Sequence, residues 1–150
     1  MSKLSPARKL ALDVLMEADR RGMYARDVLS SRASAKAIDQ RDSAFAARLA
    51  LGVAATQGIL DELLDQFLDK PKKVAPRVRM ALRTSAFEML YLHTPGRVAV
   101  SQGVELVRCG AKSAAGLANA VLHKVSDNVE TLLLRPMWMS LSDAWFVCRV

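Results

Sequence analysis

Residues 76–124 read PRVRMALRTSAFEMLYLHTPGRVAVSQGVELVRCGAKSAAGLANAVLHK, and this stretch decides the fold. Val78, Leu82, Ala86, Met89 and Leu90 recur at helical spacing, then Val100, Val104 and Val107, then Leu117, Val121 and Leu122. Apolar residues at i, i+3, i+4 and i+7 make one side of a helix greasy, and that side must be buried. The pattern therefore predicts three consecutive helices. Pro76 suits a first helical turn, where its missing N–H is no loss. His93-Thr94-Pro95-Gly96 is a break, because Pro and Gly interrupt helix propagation. Ser113 reads as the N-cap of the third helix.

Working outward, Ser5-Pro6 opens a first helix as N-cap and N1, and Gly22 stops it. Its buried face is Ala7, Leu10, Ala11, Val14, Leu15 and Ala18. A short helix follows over about Tyr24–Arg32, with Val28 and Leu29 inward, and Ser30–Ala37 reads as loop. Asp39 is an N-cap for a third helix striped by Phe45, Leu49 and Val53. Gly52 within it predicts close contact with another helix. Gly58 reads as a break before a fourth helix striped by Leu60, Leu63, Leu64 and Phe67. Asp61, Glu62, Asp65 and Asp69 make that helix acidic, so it is not expected to touch a polyanion. The expected architecture is an all-α bundle of about seven helices. A domain over residues 1–130 is followed by a tail, 131–150, holding Trp138, Trp145 and Phe146.

The 150 residues are 51% hydrophobic but only 5% aromatic, a balance that suits packed helices better than a sheet. Lys and Arg outnumber Asp and Glu by 22 to 15, a net charge of +7 that favours polyanionic partners. Two cysteines, Cys109 and Cys148, are too few for a disulfide framework and lack metal-ligand spacing. Both read as inert, buried thiols in a reducing cytoplasm. No apolar leader opens the chain, and the uncharged run at Leu49–Leu60 is far shorter than the ~20 residues of a membrane span. The expected location is therefore cytoplasmic, with no membrane partner.

Taken together, several residues resemble the NusB family, and more closely the NusB-like N-terminal domain of RsmB-type ribosomal RNA cytosine-5 methyltransferases. They are Leu82-Arg83, Glu88-Met89-Leu90, Pro95, Val98-Ala99-Val100, Val104-Glu105-Leu106 and Asn119-Ala120-Val121-Leu122. Upstream, Arg8 with Ala11 and Leu15, Arg41-Asp42, Leu49 with Gly52-Val53, and Leu60-Asp61 fit the same pattern. The resemblance implies a NusB-like bundle in two packed subbundles. It also implies RNA binding without catalysis, as the ribosomal RNA grip of a methyltransferase whose catalytic domain is not in this chain. The alternative is an antitermination factor acting on nascent RNA with a small-subunit ribosomal protein. An alternative of another class is a helical interaction or homodimerisation module using the Trp138–Phe146 tail.

No enzymatic constellation is visible. A methyltransferase needs a glycine-rich loop after a strand for S-adenosylmethionine, and none is present. Neither Cys109 nor Cys148 matches the family's catalytic cysteine beside proline. His93 and His123 lack patterned partners for general-base or metal roles. No catalytic residue, metal or cofactor is expected. Where the methyltransferases usually carry Arg-Arg, this chain has His123-Lys124, which weakens any phosphate contact there. Asn119 reads as a buried hydrogen-bonding lock between a helix and the next loop.

Cations are the informative positions. Lys70, Lys72, Lys73, Arg77, Arg79 and Arg83 fall close together, with Arg79 and Arg83 on one helix face. A second group is Lys3, Arg8 and Lys9 with Arg41 and Arg48; the resemblance implies RNA contact at Arg8 and Lys9. Cations that neutralise phosphates release counterions and so supply RNA affinity. The expected RNA-binding residues are Lys3, Arg8, Lys9, Arg41, Lys72, Lys73, Arg77 and Arg79, converging into one patch. The chain is poor in aromatics outside the tail, so base stacking is not expected to carry recognition.

Overall fold

A computed structural model describes residues 3–33 and 38–134. Among these residues there are seven α-helices and no strand. They are α1 (Pro6–Arg21), α2 (Ala25–Ala33), α3 (Gln40–Asp65), α4 (Pro76–Tyr91), α5 (Gly96–Arg108), α6 (Ala115–Asp127) and α7 (Val129–Leu134). Single 3-10 turns at Pro71–Lys73 and Lys112–Ala114 precede α4 and α6.

Local signals set most boundaries. The Ser5 hydroxyl accepts from the Arg8 N–H, with Pro6 in the first turn of α1. Gly22 closes α1 in the left-handed conformation at φ 62°, and Met23 N–H reaches back to the Ala18 carbonyl. Only Gly adopts that conformation without steric cost. The Asp39 carboxylate accepts from Arg41 N–H and caps α3.

The expected apolar stripes meet in one core. Leu12, Leu49, Leu60, Leu82, Leu106 and Leu122 are fully buried, each adding about 1.5–3 kcal/mol relative to exposure. Helices α1, α2 and α3 pack on one another, as do α4, α5 and α6, with α7 against α4 and α6. The two sets join where α3 and α1 lie on α4, which are the two subbundles implied by the resemblance. Gly52 lies where α3 crosses α4: an added Cβ would stand 2.1 Å from Cζ of Phe87.

Several expectations are corrected. Gly58 does not break the chain; α3 runs through it to Asp65, and nothing lies within 4 Å of the position its Cβ would take. A lone Gly costs only ~1 kcal/mol in a helix, less than the packing along α3 supplies. By length and composition α3 is apolar enough to cross a membrane, but here it is a bundle helix packed on α1, α2 and α4. Ser30–Ala33 belong to α2 rather than to a loop. Ser113 lies inside the 3-10 turn and caps nothing; Ala114 precedes α6 without a side-chain bond. Leu117 and Asn119 are exposed, because the buried side of α6 is Ala118, Val121, Leu122 and Val125. Cys109 is exposed at the end of α5. The tail aromatics and Cys148 lie outside the described residues.

Candidate nucleic-acid interface

The eight expected cations meet different fates. Arg8 points inward. Its Nε and Nη2 donate to Glu88 Oε2 and Oε1 at 2.8 and 2.7 Å, and its guanidinium lies 5.2 Å from the Phe45 ring centre. Glu88 is fully buried and also accepts from the Thr94 hydroxyl at 3.2 Å. A buried carboxylate is tolerable only when paired and hydrogen-bonded, so Arg8 is part of the fold's interior. Arg79 is likewise engaged, donating to Asp65 at 2.5 Å and to the Pro71 carbonyl at 2.7 Å. Arg83 forks onto both oxygens of Asp61 at 2.7 Å. The acidic end of α3 thus neutralises the two arginines that share the α4 face.

Lys3, Lys9, Arg41, Lys72 and Lys73 face solvent, whereas Arg77 does so only in part. Lys72 and Lys73 are exposed on the turn before α4. Half-buried Arg77 lies across Gly110, where an added Cβ would come 2.4 Å from its Nε. Its Nη2 is 3.9 Å from Asp13, and Lys9 reaches the same carboxylate at 3.1 Å. Lys72, Lys73, Arg77 and Lys9 therefore form a basic edge running from that turn onto α1, where Asp13 sits between Lys9 and Arg77 and Glu17 and Asp19 line the hollow beside Arg77. Lys3 sits where the chain enters α1: buried Gln102 of α5 donates to its carbonyl and accepts from Ser5 N–H. Arg41 and Arg48 are exposed four residues before and three after Phe45, on the side of α3 that holds Arg8.

The cations do not converge into one patch. Arg77 and Glu88 are eleven residues apart on α4, about 16 Å along its axis. The basic edge lies at the first and the Arg41–Arg48 group near the second. Helix periodicity could not show this, because it is silent on which acid each arginine meets. Glu88 and Gln102 were missed as anchors. Their one signal was a polar residue inside an apolar run.

Among the described residues, two titratable groups are shifted. Hydrogen bonds from Arg32 and then Arg21 hold the Glu17 carboxyl below its ordinary range. Burial raises the Tyr91 phenol, whose ring stacks on Phe87 with centroids 5.1 Å apart. Among the described residues, no group of three His, Cys, Asp or Glu is placed to hold a metal ion.

A two-part helical bundle with a basic edge is the class that this fold and surface define. The model of the NusB family matches residues 5–127. The chain belongs to the NusB family. It is 33% identical over 136 residues to the transcription antitermination protein NusB of Kineococcus radiotolerans, covering 88% of this chain and 98% of that one. It is 42% identical over 109 residues to the protein of the same name in Cutibacterium acnes, covering 71% of this chain but 41% of the relative. It is 35% identical over 142 residues to ribosomal RNA small subunit methyltransferase B of Thermus thermophilus, covering 92% of this chain and 34% of that one. Thus the chain spans about two fifths and one third of the last two. A Thermotoga maritima NusB structure shares the fold, with a TM-score of 0.70 at 19% identity over 83% of this chain and 93% of that one.

Proposed function

We propose that this chain is a non-catalytic RNA-binding protein of the antitermination type, gripping a nascent or ribosomal transcript by its phosphates. The observation that carries the reading is the basic edge of Lys72, Lys73, Arg77 and Lys9, together with nearly full-length similarity to an antitermination protein. Lys3 and Arg41 are exposed contact points apart from this edge; Arg8 and Arg79 are withdrawn, because their guanidiniums are held by acids. A small-subunit ribosomal protein as co-partner, and a cytoplasmic setting, belong to the same reading.

The test is a filter-binding titration of the full chain on ribosomal RNA fragments at several salt concentrations. Lys72→Ala/Lys73→Ala is expected to weaken binding at every sequence and to lower the salt slope by roughly 1–2. Absent binding, or binding indifferent to salt, overturns the reading. A second reading, the RNA grip of a ribosomal RNA methyltransferase, is favoured by the match to the Thermus protein over 92% of this chain. Terminator read-through in a reconstituted transcription reaction separates the two. Under the first reading the chain raises read-through; under the second it leaves it unchanged.

A further inference from the structure

A groove of about 380 Å³ lies between α5 and α6, with Arg97, Val100, Val104, Glu105, Asn119 and His123 in its lining. Its floor is apolar, since Val100 and Val104 are buried core residues. Its walls are polar. Arg108 donates to Glu105 at 3.0 Å, which neutralises the only acid in the lining. That leaves Arg97, Asn119 and His123, all exposed and without a hydrogen-bond or ionic partner among the described residues. The contrast with Arg8, Arg79 and Arg83, each engaged by a carboxylate, is chemical. Asn119 sharpens it. Asn in the middle of a helix is unfavourable relative to Ala, and among the described residues no hydrogen bond of its side chain offsets that cost. A carboxamide carries donors and an acceptor, a combination suited to a base edge, while guanidinium and imidazole suit a phosphate.

The basic edge also comes near one end of the groove. Arg77 packs on Gly110, two residues after Arg108 of the groove lining, so the edge approaches the C-terminal end of α5. From Arg108 back to Arg97 is about 16 Å along the helix axis. The volume lies at the lower end of the ~300–1,000 Å³ range of small-ligand sites.

We infer that the α5–α6 groove is a nucleotide subsite in which Arg97 and His123 take an RNA phosphate, Asn119 hydrogen-bonds the base edge, and Val100 and Val104 floor the pocket. This rests on the RNA-binding reading above and adds a second contact region to it. A strand laid on Lys72, Lys73 and Arg77 passes Gly110 and enters the groove, where a base edge is read rather than phosphate alone.

The test compares the full chain with three variants in titrations of single-stranded RNA oligomers of defined sequence. Arg97, Asn119 and His123 make no hydrogen bond or ion pair among the described residues, so their alanine variants are expected to melt like the parent. Arg97→Ala/His123→Ala is expected to weaken every oligomer about tenfold and to lower the salt slope by about 1–2. Asn119→Ala is expected to weaken the preferred oligomer about fivefold, leave the salt slope unchanged and flatten the preference among sequences. Lys72→Ala/Lys73→Ala serves as the reference for the basic edge. If the parent binds RNA and only the lysine variant weakens it, the groove assignment is overturned while RNA binding stands. If the parent binds no oligomer, both fall. If Asn119→Ala lowers the salt slope as Arg97→Ala/His123→Ala does, the base-edge role is wrong.

Discussion

Arg8→Ala separates an arginine that holds the fold from one that holds RNA. In the structure its fork on Glu88 is closed at 2.7 and 2.8 Å, with side-chain exposures of 13% for Arg8 and 1% for Glu88. Removing the guanidinium leaves Glu88 buried with only the Thr94 hydroxyl. Breaking a buried pair in this way costs about 3–5 kcal/mol, because the surviving charge is uncompensated. For a chain of this size each kcal/mol moves the midpoint by about 2–4 °C, so Tm is expected to fall by roughly 6–20 °C. Urea unfolding followed by far-ultraviolet circular dichroism reads the same loss. The double variant Arg8→Met/Glu88→Leu is expected to recover most of it, since apolar replacements of similar volume often match a buried pair. That double variant should also keep the parent's salt slope for RNA. An Arg8→Ala protein within ~0.5 kcal/mol of the parent, a change typical of exposed sites, would refute the structural role. A double variant whose salt slope drops by about one would put Arg8 back on the phosphates.

Other outcomes follow from single contacts. Gly52→Ala drives a methyl into the Phe87 ring and is expected to cost about 1–3 kcal/mol by chemical denaturation; Gly52→Ala/Phe87→Leu should restore part of it. Asp61→Asn removes the shared acid of Arg79 and Arg83; it is expected to cost about 1–2 kcal/mol and to steepen the salt dependence of RNA binding. The folded Glu17 carboxyl titrates below its ordinary 4.5, so its contribution is full above the unfolded value and fades as pH falls through the folded one. Glu17→Gln should therefore flatten the acid limb of the stability curve in a pH series of melts. Tyr91 runs the other way: its raised phenol favours the folded state's neutral form, and stability should fall as pH rises above 10. Tyr91→Phe is expected to remove that alkaline loss.

The legible part of the fold was local. Ser5, Pro6, Gly22 and Asp39 act through bonds within four residues, so their chemistry could be read where it stands. The apolar stripe of α4 showed which side would be buried, and Gly52 announced a close crossing whose partner, Phe87, it could not name. The errors arose where packing outweighed a weak local preference. Gly58 looked like a break and is a solvent-facing step in a continuous helix. Leu117 and Asn119 fall outside the buried stripe of α6, which is Ala118, Val121, Leu122 and Val125; a small Ala gives a weaker apolar signal than the neighbouring Leu117.

By itself the sequence determined an all-helical chain, the order of its helices, its positive charge and its kinship, since periodicity, capping and composition are properties of neighbouring residues. Only the tertiary structure decided which charges remain available. Arg8 and Glu88 lie 80 residues apart, Arg83 and Asp61 lie 22 apart, and neither pairing is written in any local pattern. Charge acts through space, so its meaning waits on which helices touch. Packing folded away the arginines that looked most promising and left Lys72, Lys73, Arg97 and His123 facing water.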